Sequence, residues 1–311
     1  MQNIICIAGP TASGKTALSI ALAKQLDGEV VSCDSMQIYK GMDIGTAKPT
    51  LEEMDGVPHH MLDVAEPWED FSVSRYCEMA APIVDDIVAR GKTAIIAGGT
   101  GLYMDALIRG NTFAPYPSTG MRQKLEAQAD EQGTEKMLEL LRSIDPDSAE
   151  RLHLADRKRI LRALEVYYET GETITAHNRK TQAQPNRYNP IWFALEDADR
   201  ARLYARIDRR VDKMLEAGLL EEIRQLLAVG ISPRCTAMQA IGYKEFIDYL
   251  DGNCTLDAAS AAVKQASRHY AKRQLTWFRR NPAIHWLRRS SNDTNEKILL
   301  AAQQVLTEFD K

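Results

Sequence analysis

Three short stretches of this chain carry residue types and spacings that could do chemistry. The first is Gly9-Pro10-Thr11-Ala12-Ser13-Gly14-Lys15-Thr16, which fits G-x-x-x-x-G-K-[ST]. Such a loop surrounds a chain of phosphates with backbone N–H groups and an ammonium, and its last hydroxyl can ligate Mg2+. Thr16 is the expected metal ligand, and a diphosphate or triphosphate is the expected guest. The second stretch begins at Asp34 and continues Ser35-Met36-Gln37-Ile38-Tyr39. The Asp34 carboxylate could be a general base or take a hydrogen bond from a second substrate. It could equally cap a helix or close an Asx turn, and position alone leaves both readings open. The third is Gly98-Gly99-Thr100-Gly101. Its glycines would let backbone approach a ligand closely, with the Thr100 hydroxyl beside it, or they would simply make a tight strand-to-helix turn.

The elements that must position these residues are readable from periodicity. Ile4 to Ala8 is a short apolar run ending at the first loop, and Ala17, Leu18, Ala21, Leu22 and Leu26 then recur at helical spacing. Residues 29–33 read as a second strand ending at Asp34, and residues 92–97 as a buried strand ending at the glycine loop. A short strand is expected at 60–63, a helix at 73–90, and a strand at 191–195. One long Arg-rich helix is expected over 199–228, another over about 256–280, a strand at 283–287 and a final helix near 294–308. Strands alternating with helices give an α/β fold with a parallel sheet, and ligands on such sheets sit at the carboxyl ends of the strands. The three loops should therefore meet in one crevice. Between Pro115 and Pro117 on one side and residues 184–190 on the other, residues 119–182 are polar and helical. We read a P-loop core built from residues 1–113 and 187–311, interrupted by an all-helical insertion at 114–186.

Charge adds a further feature. The formal net charge is −4, which argues against coating nucleic acid through bulk positive charge. Yet residues 258–292 contain no acid and carry Lys264, Arg268, Lys272, Arg273, Arg279, Arg280, Arg288 and Arg289. Lys264, Arg268 and Lys272 step by four and share a helix face, and Tyr270, Trp277, Phe278 and Trp286 interleave. Such a face suits phosphate contact with stacked bases; the other reading is a solvated helix face whose aromatics are core. The missing acids favour the first. Arg151, Arg157, Lys158, Arg159 and Arg162 form a second basic cluster in the insertion. The five cysteines are scattered and never in C-x-x-C pairs, which predicts a reduced cytoplasmic protein without a zinc module. The six histidines show no metal-ligand spacing. There is no apolar run of membrane-spanning length, and the N-terminus reads as the first strand, not a cleaved signal.

Taken together, these motifs resemble the bacterial tRNA dimethylallyltransferase (tRNA isopentenyltransferase) family. The residues that carry the resemblance are 9–16, 34–49, 98–103, 156–165, 239–245 and 270–279, in order along nearly the whole chain. The run from Asp34 to Pro49 is the most specific, because a generic phosphate binder has no reason to reproduce it. The resemblance implies transfer of a dimethylallyl group from dimethylallyl diphosphate to the exocyclic amine of the adenosine 3′ to the anticodon, in tRNAs reading codons that begin with U. The phosphate loop would then hold a departing diphosphate, with Mg2+, and no ATP would be hydrolysed. Lys15 and Asp34 would be catalytic together with Thr100, and Arg210 would be a further diphosphate ligand. Contacts to the anticodon stem-loop would come from Asp34, Ser35, Met36, Gln37, Thr100, Arg122, Lys158, Arg159, Ile160, Leu161 and Arg162. Further contacts would come from Gln239, Ala240, Ile241, Gly242, Tyr243, Lys244, Lys272, Arg273 and Arg279. A cytoplasmic monomer is expected. The rivals are a small-molecule kinase with Asp63 or Glu196 on nucleotide magnesium, an RNA-binding NTPase switch, and a relative that prenylates free adenine nucleotides.

Overall fold

The structure, a computed structural model, describes residues 4–111 and 119–309. Two compact units emerge, one from Met1–Gly110 with Arg187–Lys311 and the other from Asn111–Asn186. The expected hinge at Pro115 and Pro117, and with it the 113/114 boundary, lies outside the described residues.

In chain order the first unit begins with β1 (Ile4–Ala8), α1 (Lys15–Gln25), β2 (Gly28–Cys33), α2 (Leu51–Met54), β3 (His59–His60), α3 (Val73–Ala89), β4 (Thr93–Gly98) and α4 (Gly101–Arg109). The second unit is helical among its described residues, with α5 (Met121–Gln132), α6 (Thr134–Ile144), α7 (Pro146–Glu150), α8 (Arg157–Thr170) and α9 (Ile174–Ala183). The first unit resumes with β5 (Ile191–Asp197), α10 (Arg200–Glu216), α11 (Leu219–Ala228), α12 (Lys244–Leu250), α13 (Leu256–Phe278), β6 (Ile284–Arg289) and α14 (Asn295–Phe309). All six strands are parallel, in the order β3-β2-β4-β1-β5-β6. Strands covered on both faces must be apolar throughout, which is why Ile4-Ile5-Cys6-Ile7-Ala8 and Ala94-Ile95-Ile96-Ala97 are continuous runs. Ile5 and Ile7 share a core with Leu18 and Leu22 of α1 and with Ile298 and Leu306 of α14. Helices α3 and α4 pack on β2 and β4, with Tyr76 and Tyr103 stacked at 4.7 Å between ring centroids.

The sheet order explains why the three loops meet. They follow β1, β2 and β4, which are adjacent in the order β2-β4-β1. The approach is tight. A Cβ built on Gly98 would lie 1.9 Å from the Cys33 carbonyl oxygen, and one on Gly101 would lie 2.3 Å from the Trp277 ring. These glycines are therefore required by the chain's own elements, β2 and α13.

Three expected elements differ. The single helix over 199–228 is two helices, because Gly218 stands at φ +100° and turns the chain between α10 and α11. The strand expected at 60–63 is confined to His59–His60, since Met61 (φ +63°) and Asp63 (φ +54°) leave the extended region. The last strand starts one residue later and runs two residues further than expected, to Arg289, in register with Asp197 of β5. No helix among the described residues is long and apolar enough to cross a membrane.

Gly98→Ala is expected to lower the unfolding free energy by about 3 kcal/mol, the cost of forcing backbone apart in a packed site. Gly91→Ala, where a Cβ meets nothing within 4 Å but φ is +76°, should cost only about 1 kcal/mol. Urea midpoints at unchanged slope measure both; equal losses would show that packing at Gly98 is looser than described.

Candidate active site

The chain leaves β1 through Gly9 at φ +142° and Ala12 at φ +60°, and enters α1 after Gly14 at φ +99°. Lys15 folds back so that its Nζ donates to Gly9 O at 3.0 Å and Pro10 O at 2.8 Å. Burial, then the nearby Arg210 charge, push the Lys15 ammonium down to about 8, with Asp34 opposing. Thr16 is exposed on the wall of the same cavity, and Ser13 Oγ is buried without a partner. This cavity measures about 730 Å³. Its walls are the loop from Thr11 to Thr16, Asp34, and the bases Arg206, Arg209, Arg210 and Lys213 of α10.

Asp34 ends β2, and one of its oxygens accepts the Met36 N–H at 2.9 Å. The Asx-turn reading is thus correct, and so is the crevice reading, because Asp34 also lines the cavity with its second oxygen unbonded. A second cavity, about 340 Å³, lies beyond it, walled by Ser35, Met36, Gln239, Ala240, Ile241, Gly242, Lys244 and Arg273. Thr11, Asp34, Arg210 and Tyr270 line both cavities. Among the described residues Arg210 has only the Thr46 carbonyl, at 3.4 Å, for a hydrogen-bond partner, and burial lowers its pKa while Asp34 opposes that. Gln37 does not reach the second cavity: it accepts from Ser32 Oγ at 3.0 Å and donates to the Thr46 and Ala47 carbonyls. Burial raises the Tyr270 phenol to about 12, so the ring at this junction is neutral.

Several expected roles change once side chains are placed. Thr100 lines neither cavity. Its Oγ1 accepts the Ser35 N–H at 3.1 Å and donates to Ser35 Oγ at 3.4 Å, so it braces the Asp34 loop. Tyr243 is fully buried, with its hydroxyl on Glu222 at 2.6 Å, and offers no surface to RNA. Ile160 and Leu161 face the apolar core of the helical unit, because a run of five on a helix must turn some positions inward. Lys158 and Arg159 are exposed there, Arg162 is exposed with Glu165 at 2.8 Å, and Arg122 pairs Glu126 at 2.7 Å. The step-of-four basic face is also divided. Lys264 pairs Asp212 at 2.5 Å and Arg268 pairs Asp208 at 2.6 Å, so α10 supplies acids to the acid-free stretch of α13. Lys272 and Arg273 are exposed with no ion pair among the described residues, whereas Arg279 pairs Glu196 at 2.5 Å. Trp277 is fixed by Asp105 at 2.9 Å and Phe278 is buried, which leaves Tyr270 as the aromatic of α13 on the cavities.

Sequence reasoning missed Gln274. It is buried, accepts the Thr11 N–H at 2.9 Å and donates to Gly99 O at 3.0 Å. The available signal was its place four residues after Tyr270, an uncharged polar group on the inward stripe of a basic helix. The carboxylates a kinase would need are engaged elsewhere. Asp63 receives the Lys48 ammonium at 2.5 Å, Glu196 pairs Arg279 and Arg288, and neither lines the phosphate cavity.

The family model described as IPP transferase matches residues 37–281. A tRNA dimethylallyltransferase of Acetivibrio thermocellus is 44% identical over 310 residues, 99% of each chain, and one of Geobacillus thermodenitrificans is 50% identical over 92% of this chain and 90% of its own. Among solved structures, a full-length tRNA isopentenylpyrophosphate transferase from Bacillus halodurans superposes with a TM-score of 0.75 at 42% identity, covering 100% of this chain and 97% of that one. A eukaryotic dimethylallyltransferase acting on tRNA superposes with a TM-score of 0.81 at 30% identity, covering 98% of this chain and 79% of its own.

The depressed Lys15 sets a pH dependence. Only the ammonium attracts a phosphate, so the Lys15 contribution to diphosphate affinity, read as the difference from Lys15→Met at each pH, should be level below pH 8 and fall as pH rises through about 8. Calorimetric titrations across that range should show the step, and Lys15→Met should lose both the affinity and the step. A step that persists in Lys15→Met would belong to another group.

Proposed function

The chain belongs to the IPP transferase family, and from that premise we propose that it moves a dimethylallyl group from dimethylallyl diphosphate to the exocyclic amine of an adenosine in tRNA. The acceptor is the adenosine 3′ to the anticodon in tRNAs reading codons that begin with U. The observation that carries this reading is the place of Asp34 between the phosphate-loop cavity and the cavity walled by residues 239–242, Lys244 and Arg273. A donor held by its diphosphate in the first would meet an amine entering from the second where the two cavities share walls, at Thr11, Asp34, Arg210 and Tyr270.

The chemistry follows from the groups present. Ionising an allylic C–O bond requires that the departing diphosphate be stabilised, and the loop N–H groups, Lys15 and Arg210 supply fixed positive potential at that end. The adenine nitrogen then forms its bond to the allylic carbon as the C–O bond breaks. Its surplus proton passes to the free oxygen of Asp34, a contribution on the order of 10²–10⁴ in rate. The target base must leave its stack, at a cost of roughly a few kcal/mol. The Met36 N–H on one Asp34 oxygen fixes the carboxylate so that the other faces the junction.

Magnesium fits this site as a companion of the diphosphate. The Thr16 hydroxyl makes no hydrogen bond, and among the described residues no three His, Cys, Asp or Glu side chains gather to cage an ion. Mg2+ characteristically keeps substrate phosphates and waters as ligands; bound there it would neutralise charge on the leaving group. We take the monomer as the working unit, in the compartment where tRNA is found.

Incubation with labelled dimethylallyl diphosphate, bulk tRNA and Mg2+ tests the reading: label should enter tRNA. Label in AMP alone, or ATP consumed without transfer, would sink it. Asp34→Ala should abolish transfer, by at least about 10²-fold, while tRNA binding survives; equal loss of both would make Asp34 structural. Arg273→Ala should weaken tRNA binding and reduce its logarithmic salt slope by about one, whereas Arg268→Ala, already paired with Asp208, should leave the slope unchanged. The opposite pattern would reassign the RNA face of α13.

A further inference from the structure

Helix α10 sorts its charges by face. Asp208 and Asp212 turn toward α13 and pair there with Arg268 and Lys264. Arg206, Arg209, Arg210 and Lys213 recur at three- and four-residue steps and line the phosphate cavity. Arg206 is the one of these that is both partly buried and unpaired among the described residues, Lys213 being exposed. Its guanidinium makes no hydrogen bond and no ion pair among the described residues, although it is half-buried. The carboxylate in its neighbourhood, Asp197, is already taken by Arg202 at 2.8 Å. A second guanidinium, Arg289 of β6, lies beside it: a Cβ built on Gly14 would stand 3.4 Å from Arg289 Nη2 and 3.7 Å from Arg206 Nη2. Arg289 Nη2 donates to Asn295 at 2.8 Å, and its Nε is buried with no partner. Two guanidinium groups thus crowd the phosphate loop at Gly14; burial and then the Arg289 charge disfavour the charged form of Arg206, burial and then the Arg202 charge that of Arg289, and Asp197 opposes both only in part.

Such an arrangement costs folding energy in the empty protein, since a desolvated charge without a partner is unfavourable. A guanidinium is the group suited to gripping a phosphate by two parallel N–H donors. We propose that Arg206 binds the terminal phosphate of the diphosphate, with Arg289 behind it adding positive potential, while Lys15 and Arg210 serve the phosphate nearer the allyl group. The inference rests on the transferase reading above and deepens it, because it divides the leaving group between two sets of cations. Bond breaking leaves the negative charge on the whole diphosphate, so a cation on its far end also favours departure.

Calorimetric binding of inorganic diphosphate and of inorganic monophosphate, each with Mg2+, to the full chain tests this. Arg206→Gln should weaken diphosphate about ten- to hundred-fold, the range for hydrogen bonds to charged groups, and leave monophosphate within about two-fold. Arg206→Lys should recover part of the loss, since an ammonium keeps the charge but not the fork. The thermal midpoint of ligand-free Arg206→Gln should be unchanged or higher, because the substitution relieves repulsion; a lowered midpoint would make Arg206 structural. Diphosphate affinity unchanged in Arg206→Gln would overturn the inference alone, as would equal loss of both anions. A reduced tRNA salt slope with intact diphosphate affinity would instead assign Arg206 to an RNA phosphate, and overturn it too. Failure of the unaltered protein to bind diphosphate would remove both the inference and the transferase reading.

Discussion

The amide of Gln274 receives the Thr11 N–H and donates to the Gly99 carbonyl, so one buried side chain on α13 ties together the phosphate loop and the loop after β4. Neither loop could hold its backbone groups alone in that crevice, because a buried N–H or carbonyl without a partner costs about 1–3 kcal/mol. The same constraint explains the glycines. A Cβ on Gly99 would lie 2.1 Å from Gln274 Nε2, and Gly101 must admit the Trp277 ring. Helix α13 therefore carries the exposed bases Lys272 and Arg273, the ring of Tyr270 and the clamp on the phosphate loop within two turns. RNA engaging this helix would press on the element that positions the leaving-group loop.

The Asp34 loop is determined with equal redundancy, by hydrogen bonds within the loop and to its neighbours. Gln37 bonds Ser32, Thr46 and Ala47. Lys48 is buried and gives its ammonium to Tyr39 O, Asp43 and Asp63. Glu222, from α11, accepts the N–H groups of Asp43, Ile44 and Gly45 and the hydroxyl of Tyr243. The proposed role of Asp34 as general base requires a carboxylate held in one place, and an over-determined loop does this better than a free one. The specificity of the run from Asp34 to Pro49 thus reflects support more than contact.

That distinction marks how far the sequence could be read. The sheet, its parallel sense and the convergence of three loops followed from apolar runs ending in Gly- and Asp-bearing turns, because strand burial is a local signal. The split of α10 from α11 at Gly218 is legible in principle, but the apolar period continues through it and hides the turn. Roles fared differently. Thr100 and Tyr243 sit in motif runs yet act behind the site, and Ile160 and Leu161 belong to a core, since a motif records which residues must be kept and not which of them touch a ligand. The pairing of Lys264 and Arg268 with α10 was invisible, because acids fifty or more residues away in sequence cannot be matched to bases without the fold.

Charge placement resolves the apparent conflict between a net charge of −4 and a polyanionic substrate. The acids of the core are largely spent pinning elements: Asp208 and Asp212 on α13, Asp197 on Arg202, Glu196 on Arg279, and Glu29 on Arg90 and His60. The bases that line the phosphate cavity are left without them. Fixed cations in a partly desolvated pocket attract phosphate far more strongly than the same cations in water, because their potential is screened less and needs no reorganisation when charge develops. The depressed pKa of Lys15 is the cost of that arrangement in the empty protein. A more neutral pocket would fold more stably and would do less for a departing diphosphate, so the uncompensated charge is best understood as stability given up for catalysis.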